Sequence, residues 1–305
     1  MKSIIVTGAT GLIGSEVVKA LKAKHYRVIV FSRDANQAKT QVPEADHWVK
    51  MTSNLSDPWA SELNGSFAVI HLAGASVAGR RWTDSWKKEI RDSRVNGTRL
   101  LVEAMKKAER KPEVFISGSA IGIYGPSDDR QLTESAPAGH DFLAGVGVEW
   151  EAESLKAKEF GIRTVLIRTG IVLDPNEGAL KEMMLPFKFF AGGPVLPGTQ
   201  WFSWIHIADE VGIILHSLET TTLSGPVNAT APNPVTMKTF SSILGKVMSR
   251  PSWFPVPGFI QRIVKGQVAE VLTTGQRVIP EKSMASGYQF KFSDCEKALR
   301  NLLGK

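Results

Sequence analysis

The octapeptide TGATGLIG, residues 7–14, carries the clearest chemistry in the chain. Gly8, Gly11 and Gly14 recur at every third position, directly after an apolar run, SIIVT (3–7), and directly before a helical pattern. One glycine permits a tight turn, a second lets backbone approach a pyrophosphate, and a third lets the helix pack closely on the strand. The helix then presents unpaired N–H groups and its positive dipole end to the anion. Thr10, Leu12 and Ile13 complete this candidate phosphate loop. The end of the next apolar run, VIVFSRD (28–34), bears on which dinucleotide fits. An acidic residue there would bond the ribose hydroxyl of NAD, but the run ends in Ser32 and Arg33. A guanidinium meets the 2′-phosphate of NADP through charge-assisted hydrogen bonds of about 1.5–3 kcal/mol. Asp34 competes, either by facing the ribose or by neutralising Arg33. The residues favour NADP(H) over NAD(H).

A loop of this kind must sit at a strand–helix turn, and the chain supplies one. Strand candidates are SIIVT (3–7), RVIVF (27–31), HWVKM (47–51), FAVIHLA (67–73), VFISGS (114–119) and RTVLIR (163–168), with helical patterns near 12–24, 84–108 and 147–160. Near-continuous apolar strands alternating with helices predict an α/β fold, a Rossmann-type doubly wound parallel sheet covered on both faces. Ligands of such sheets bind at the carboxyl ends of the strands. After Arg168 the pattern changes: Gly and Pro cluster in AGGPVLPGTQ (191–200) and again in RPSWFPVPGF (250–259). The expected division is an NADP-binding domain over 1–170, completed by roughly 203–230, and a smaller C-terminal substrate lobe from 171–202 and 231–305. Within that lobe, 250–266 reads as a lid or inter-lobe element.

Composition narrows the classes. No apolar run reaches the roughly 18 residues that span a bilayer, so no membrane segment is expected. Cys295 is the only cysteine, which excludes an intrachain disulfide and fits a reducing compartment such as the cytoplasm. The six histidines are scattered without the spacing of a metal site. Most of the net charge of +7 sits between Arg80 and Glu113, with 11 Lys/Arg against 6 Asp/Glu. The signs are interspersed along a helical pattern, which reads as a solvated, ion-paired face; no nucleic-acid partner is expected.

With the phosphate loop, the segments HLAGA (71–75) and SGSAIGIYG (117–125) make the sequence resemble an extended member of the short-chain dehydrogenase/reductase superfamily. RRWT (80–83), SRVNGT (93–98), FSWIHIADE (202–210), PVNATAP (226–232) and GQRVIP (275–280) narrow the resemblance to an atypical subgroup. Its members are described as epimerase family proteins, some as cell-division inhibitors. The resemblance implies that Leu72, Ala73 and Gly74 pass beneath adenosine and pyrophosphate. It implies that Glu89, Arg94 and Ser117 also face the cofactor, with Val172 near the nicotinamide. Homodimers through the helices at 84–108 and 142–160 are common in such proteins.

The catalytic positions depart from the family's pattern. There, a Ser or Thr cooperates with a Tyr-x-x-x-Lys pair whose tyrosine exchanges a proton with the substrate. Ser119 matches the first role. The tyrosine position falls at Phe142 or Leu143 and the lysine position at Val146 or Gly147. None of Tyr26, Tyr124 and Tyr288 has a lysine four residues later, so the pair is absent. Tyr124 is the nearest substitute acid, against the alternative of a structural aromatic. The family's helix asparagine is replaced by Arg94. Loss of a positioned acid removes about 10²–10⁴-fold, whereas positioning of reactants contributes roughly 7–11 kcal/mol by itself.

GTQWFSWIHIADE (198–210) gathers Gln200, Trp201, Trp204 and His206 before a helix. Two indoles with an amide suit a flat, partly apolar substrate. The alternative is that the tryptophans pack the lobes together, while His206 caps the helix and Asp209 compensates its first turn. The expected function is an NADP(H)-dependent oxidoreductase or epimerase acting on a small molecule. The alternative is a non-catalytic NADP(H)-responsive binding protein.

Overall fold

In the computed structural model, which describes residues 1–256, 267 and 269–305, the chain begins in the middle of its main sheet. Strand β1 (Ser3–Thr7) pairs in parallel with β2 (Arg27–Ser32), and β2 with β3 (His47–Lys50). The chain then returns past β1 to lay β4 (Ala68–His71) on its other side, followed by β5 (Val114–Ala120). The short β6 (Gln131–Leu132) stands apart. Strand β7 (Arg163–Thr169) joins β5, while β8 (Ile171–Leu173), β9 (Trp201–Phe202) and β10 (Trp204–His206) belong to smaller sheets. Strand β11 (Gly225–Ala229) returns beside β7, closing a seven-stranded parallel sheet in the order β11-β7-β5-β4-β1-β2-β3. The direction of strand addition reverses between β1 and β4, so a crevice opens where Thr7 pairs with His71.

Both faces of the sheet are buried, as the continuous apolar runs require. Ile4, Val6, Val28, Val30 and Ile70 pack into one cluster, with Val17 and Leu21 of α1 (Leu12–Ala23) and Ile213 and Ile214 of α6 (Ile207–Glu219). Their neighbours Ile5, Ile29, Phe31 and Val69 point the other way, against Leu101 and Met105 of α3 (Asp84–Lys107). Side chains alternate faces along a strand, so one run feeds two cores. Each large side chain fully buried this way contributes roughly 1.5–3 kcal/mol.

Local signals set the helix starts. Asp34 caps α2 (Ala35–Gln41), accepting from the Gln37 N–H at 3.0 Å. Thr83 caps α3 through the Trp86 N–H, and Asp141 caps α4 (Phe142–Leu155) through the Ala144 N–H. That cap starts α4 five residues earlier than the apolar pattern near 147 suggested. The basic stretch is paired on and across helices: Lys88 and Arg91 meet Asp92, Arg91 also meets Glu149, and Arg99 meets Glu153.

The remaining elements build a second core. Helices α5 (Gly178–Lys188), α7 (Met237–Met248) and Cys295–Leu303 enclose Phe202, Trp204 and Phe240. Residues 250–256 run along 190–196, with Phe254 donating to the Gly192 carbonyl and Val256 to that of Pro194. Residues 257–266, the rest of the lid reading, lie outside the described residues. None of the described helices is long and apolar enough to cross a membrane.

Candidate functional site

Two of the three glycines of the phosphate loop are required by its geometry. Gly8 follows β1 with φ +71°, and a Cβ there would lie 2.6 Å from the Leu72 backbone. A Cβ on Gly14 would lie 2.2 Å from the Gly8 carbonyl oxygen, so α1 touches the loop at that point. Gly11 differs: its Cβ would meet the Gly8 oxygen at an ordinary 3.5 Å. It is the N-cap of α1, has no side chain to bond the first-turn N–H groups, and the turn carries no acid. Helix geometry leaves the N–H groups of Leu12, Ile13 and Gly14 without intrahelical acceptors, although none of these three residues lines the groove. Beside them runs a groove of about 1400 Å³, lined by Gly8, Thr10, Gly11, Ser32, Arg33 and the Leu72–Ser76 loop. Glu89 of α3 lines it too.

Asp34 directly follows Ser32 and Arg33, which line this end of the groove. Its carboxylate is engaged as the α2 cap, and among the described residues it makes no ion pair with Arg33. Arg33 is exposed at the groove's edge. The residues fit a dinucleotide with a phosphate at this end: a cradle that side chains would fill, free helix N–H groups, and a cation beside them. Under the loop, His71 joins Thr7 (2.6 Å) to Thr98 of α3 (3.1 Å). Burial, and then the charge of Arg94, hold its pKa down at about 4, so it is a neutral clasp. In the sequence, His71 closes a strand and opens the HLAGA segment, and nothing local marks it as a clasp between Thr7 and Thr98.

A second cavity of about 500 Å³ adjoins the groove along Ala75–Val77 and α3. Ser93 and Glu89 of α3 face the groove, whereas Ile90 and Arg94 line the second cavity. Opposite them stand Phe142, Leu143, Val146 and Gly147 of α4, the four residues at the family's tyrosine and lysine positions. The wall expected to hold a proton donor is apolar. Gly147 packs so closely that a Cβ would lie 3.0 Å from Ile123.

Neither Ser119 nor Tyr124, the two acid–base candidates, is among the residues lining this cavity or the groove. Both hydroxyls are consumed in a buried network. Ser119 Oγ donates to Glu151 Oε1 at 2.6 Å. Arg168 grips the same carboxylate with two bonds of 2.8 Å, and donates to the Tyr124 hydroxyl at 2.9 Å. The Tyr124 O–H donates to Asn228 Oδ1 at 2.7 Å, and the Asn228 N–H donates to Glu134 Oε1. Burial pushes the Tyr124 phenol above its ordinary pKa. Ser119, Tyr124, Glu151 and Arg168 are all at most 7% exposed.

Other expected residues divide. Gln200 and Trp201 line the second cavity; the Trp201 indole donates to Asp129 Oδ1 at 2.8 Å. Trp204 does not: it is fully buried in the second core and donates to the Asn233 carbonyl. Ser117 is also fully buried, accepting from the Ser154 hydroxyl of α4, and so holds β5 to α4 away from the groove. Val172 pairs with Ile205 and packs on the sheet core, while its neighbours Gly170 and Ile171 reach the cavity. His206 accepts from the Ala208 N–H as the α6 cap, and Asp209 is bonded by Tyr288 and by the Lys291 and Phe292 N–H groups.

A glycine phosphate loop on a doubly wound sheet, beside a cavity without the tyrosine–lysine pair, defines an atypical extended short-chain dehydrogenase/reductase. The chain belongs to the NAD dependent epimerase/dehydratase family, whose model matches residues 4–229; residues 256–302 match a domain of unknown function (DUF1731). It is 40% identical to the chloroplastic epimerase family protein SDR39U1 homolog of Arabidopsis thaliana, over 99% of this chain and 86% of that protein. It is 39% identical to the epimerase family protein YfhF of Bacillus subtilis, over 99% and 98%. Its structure is similar to that of human epimerase family protein SDR39U1 with NADPH, with TM-score 0.87, 31% identity and 99% of both chains covered. UDP-glucuronic acid 4-epimerase from Bacillus cereus shares the fold with TM-score 0.76 at 19% identity, covering 99% of both chains.

Proposed function

We propose that this chain binds NADP(H) in the groove and acts as an oxidoreductase or epimerase on a small molecule held in the second cavity. The observation that carries the reading is the groove itself: lined without side chains at Gly8 and Gly11, and ending at Ser32 and Arg33 with Asp34 turned to other use. Backbone N–H groups of the first turn of α1 hold the pyrophosphate, and the Arg33 guanidinium with the Ser32 hydroxyl binds the 2′-phosphate. The similarity to a human protein whose structure contains NADPH supports the same preference. When bound, the nicotinamide supplies or accepts a hydride. The chain's own part is to position the two reactants and exclude water with an apolar wall, an effect of roughly 7–11 kcal/mol in favourable cases. Ser119 and Tyr124 hold that wall in place and do not exchange protons with substrate.

The test is NADPH oxidation by the purified protein against a panel of aldehydes, ketones and quinones, with NADH in parallel. Turnover with NADPH by the parent, retained in Tyr124→Phe, agrees with the reading; turnover abolished in Tyr124→Phe at unchanged NADPH affinity would return Tyr124 to the mechanism. A second reading, a non-catalytic NADP(H)-responsive binding protein, is favoured by the closed Ser119–Glu151–Arg168–Tyr124 network. It expects NADPH to protect backbone amides around Gln200 and Thr273–Gln276 from hydrogen exchange with no member of the panel reduced. An unchanged exchange pattern would count against it.

A further inference from the structure

The lining of the second cavity is lopsided in its chemistry. Most of it is aromatic or aliphatic, including Trp82, Phe142, Trp150, Ile121 and Val146. Its acids, Asp141 and Glu270, are exposed residues, and Asp141 is already engaged as the α4 cap. Among the described residues one cation lines it, Arg94.

Arg94 is fixed in place. Its Nη1 donates to the carbonyls of Ala75 (2.9 Å) and Ile90 (3.0 Å). The guanidinium lies over the Trp150 ring, 5.2 Å from its centroid, and close beneath Gly74, where a Cβ would lie 3.2 Å away. A guanidinium carries five N–H donors, and these two carbonyls leave the rest of the fork uncommitted. Neighbouring arginines are matched by carboxylates: Arg91 with Glu149, Arg99 with Glu153, Arg168 with Glu151. Arg94 has no such partner among the described residues. Burial draws its pKa down to about 10, which leaves it charged at neutral pH. The indole N–H of Trp150 is also buried without an acceptor among the described residues. This wall is short of acceptors. A half-buried charge without a counter-ion carries part of the cost of burial, and an arriving anion would remove it.

We propose that the second cavity takes a flat, largely apolar ligand bearing one carboxylate, and that Arg94 is the residue that binds that carboxylate. The aromatic wall accounts for flatness and for low polarity elsewhere in the ligand; Arg94 accounts for the single negative charge and its position. A planar guanidinium and a planar carboxylate form paired bonds, which fixes orientation as well as affinity. Loss of a charge-assisted bond of this kind weakens binding by about ten- to a hundredfold. The inference rests on the reading that the adjoining groove holds the dinucleotide, which leaves this cavity for substrate.

The experiment titrates the protein with 2-naphthoate and with 2-naphthamide, probes of one shape that differ in charge. Binding is followed by tryptophan fluorescence and by calorimetry, with and without NADPH. Arg94→Met and Arg94→Lys are run beside the parent, and NADPH affinity is measured for each. The parent is expected to bind the naphthoate at least tenfold more tightly than the amide in both series. Arg94→Met should abolish the preference, Arg94→Lys should retain part of it, and NADPH affinity should stay within about threefold. Equal binding of the two probes by the parent, including binding of neither, overturns the proposal without any variant. So does a preference that survives Arg94→Met in protein that still binds NADPH, and so does a loss of NADPH affinity as large as the loss of naphthoate affinity. Failure of the parent to bind NADPH overturns the cofactor reading instead, since the titrations without dinucleotide still read Arg94.

Discussion

The groove and the second cavity adjoin along one loop and one helix, yet their polar groups are disposed in opposite ways. Along the groove, donors are left free of carboxylates: among the described residues, the first-turn N–H groups of α1, Ser32 and Arg33 bond none, and Asp34 is tied to α2. Behind the second cavity, polar groups face inward. Ser119, Glu151, Arg168, Tyr124 and Asn228 satisfy one another and leave, among the described residues, an apolar wall with one partly buried cation. A site keeps its ligand chemistry when donors are held apart from acceptors of the same chain. It becomes scaffold when they meet.

The buried network carries the largest expected effect. Arg168→Met leaves the Glu151 carboxylate buried without its cation, and a broken buried pair costs about 3–5 kcal/mol. Urea unfolding should show that loss, and the added change Glu151→Leu should recover much of it; an undiminished midpoint in Arg168→Met would contradict the inward-facing account.

Glu210 tests the same interior through pH. Its Oε1 accepts from Thr169, which lines the second cavity, while Oε2 has no partner among the described residues. Burial raises its pKa from 4.5 to about 8. The folded pKa lies above the unfolded one, so between these values the native state keeps a proton that the unfolded chain releases. Stability therefore falls as pH rises through that window, by up to about 1.4 kcal/mol per unit. Glu210→Gln should flatten the fall, seen as unfolding midpoints measured from pH 5 to pH 8; parallel profiles for parent and variant would refute the assignment.

At the groove the effects fall on affinity. Gly11→Val has room for its Cβ, so the protein should fold, but the side chain enters the space the pyrophosphate needs. NADPH affinity should drop at least about a hundredfold, near 2.7 kcal/mol, with the unfolding midpoint little changed. Arg33→Gln sharpens the contrast: NADPH should weaken by about ten- to a hundredfold while NADH is unaffected, measured by nucleotide fluorescence. The smallest effect belongs to Ser119→Ala. Glu151 keeps both bonds from Arg168, so the loss should be about 1 kcal/mol of stability with NADPH affinity unchanged.

The groove was legible in the sequence because it is local. Glycines at every third position between a strand and a helix, and the residues ending the next strand, act within a few positions of one another. The network was not legible, because Ser119, Glu151, Arg168 and Asn228 lie far apart in the chain and meet only through α4, β7 and β11. What could be read was the absence of tyrosine and lysine at 142–147, and the structure places those positions on the cavity wall. Trp201 and Trp204 show how a finer signal was missed. An odd offset along an extended chain turns side chains to opposite sides, so one indole lines the cavity while the other enters the second core. For Arg94 the substitution of asparagine was visible, but the lack of a carboxylate beside it is a fact of packing.

On the proposed function, the groove binds NADP(H) beside a cavity whose usual proton-donor positions are apolar. Parallel titration of the purified protein with NADPH and NADH tests it most directly. NADPH should bind at least tenfold more tightly than NADH, with the difference lost in Arg33→Gln. Equal affinities in the parent, or no binding of either dinucleotide, would contradict it.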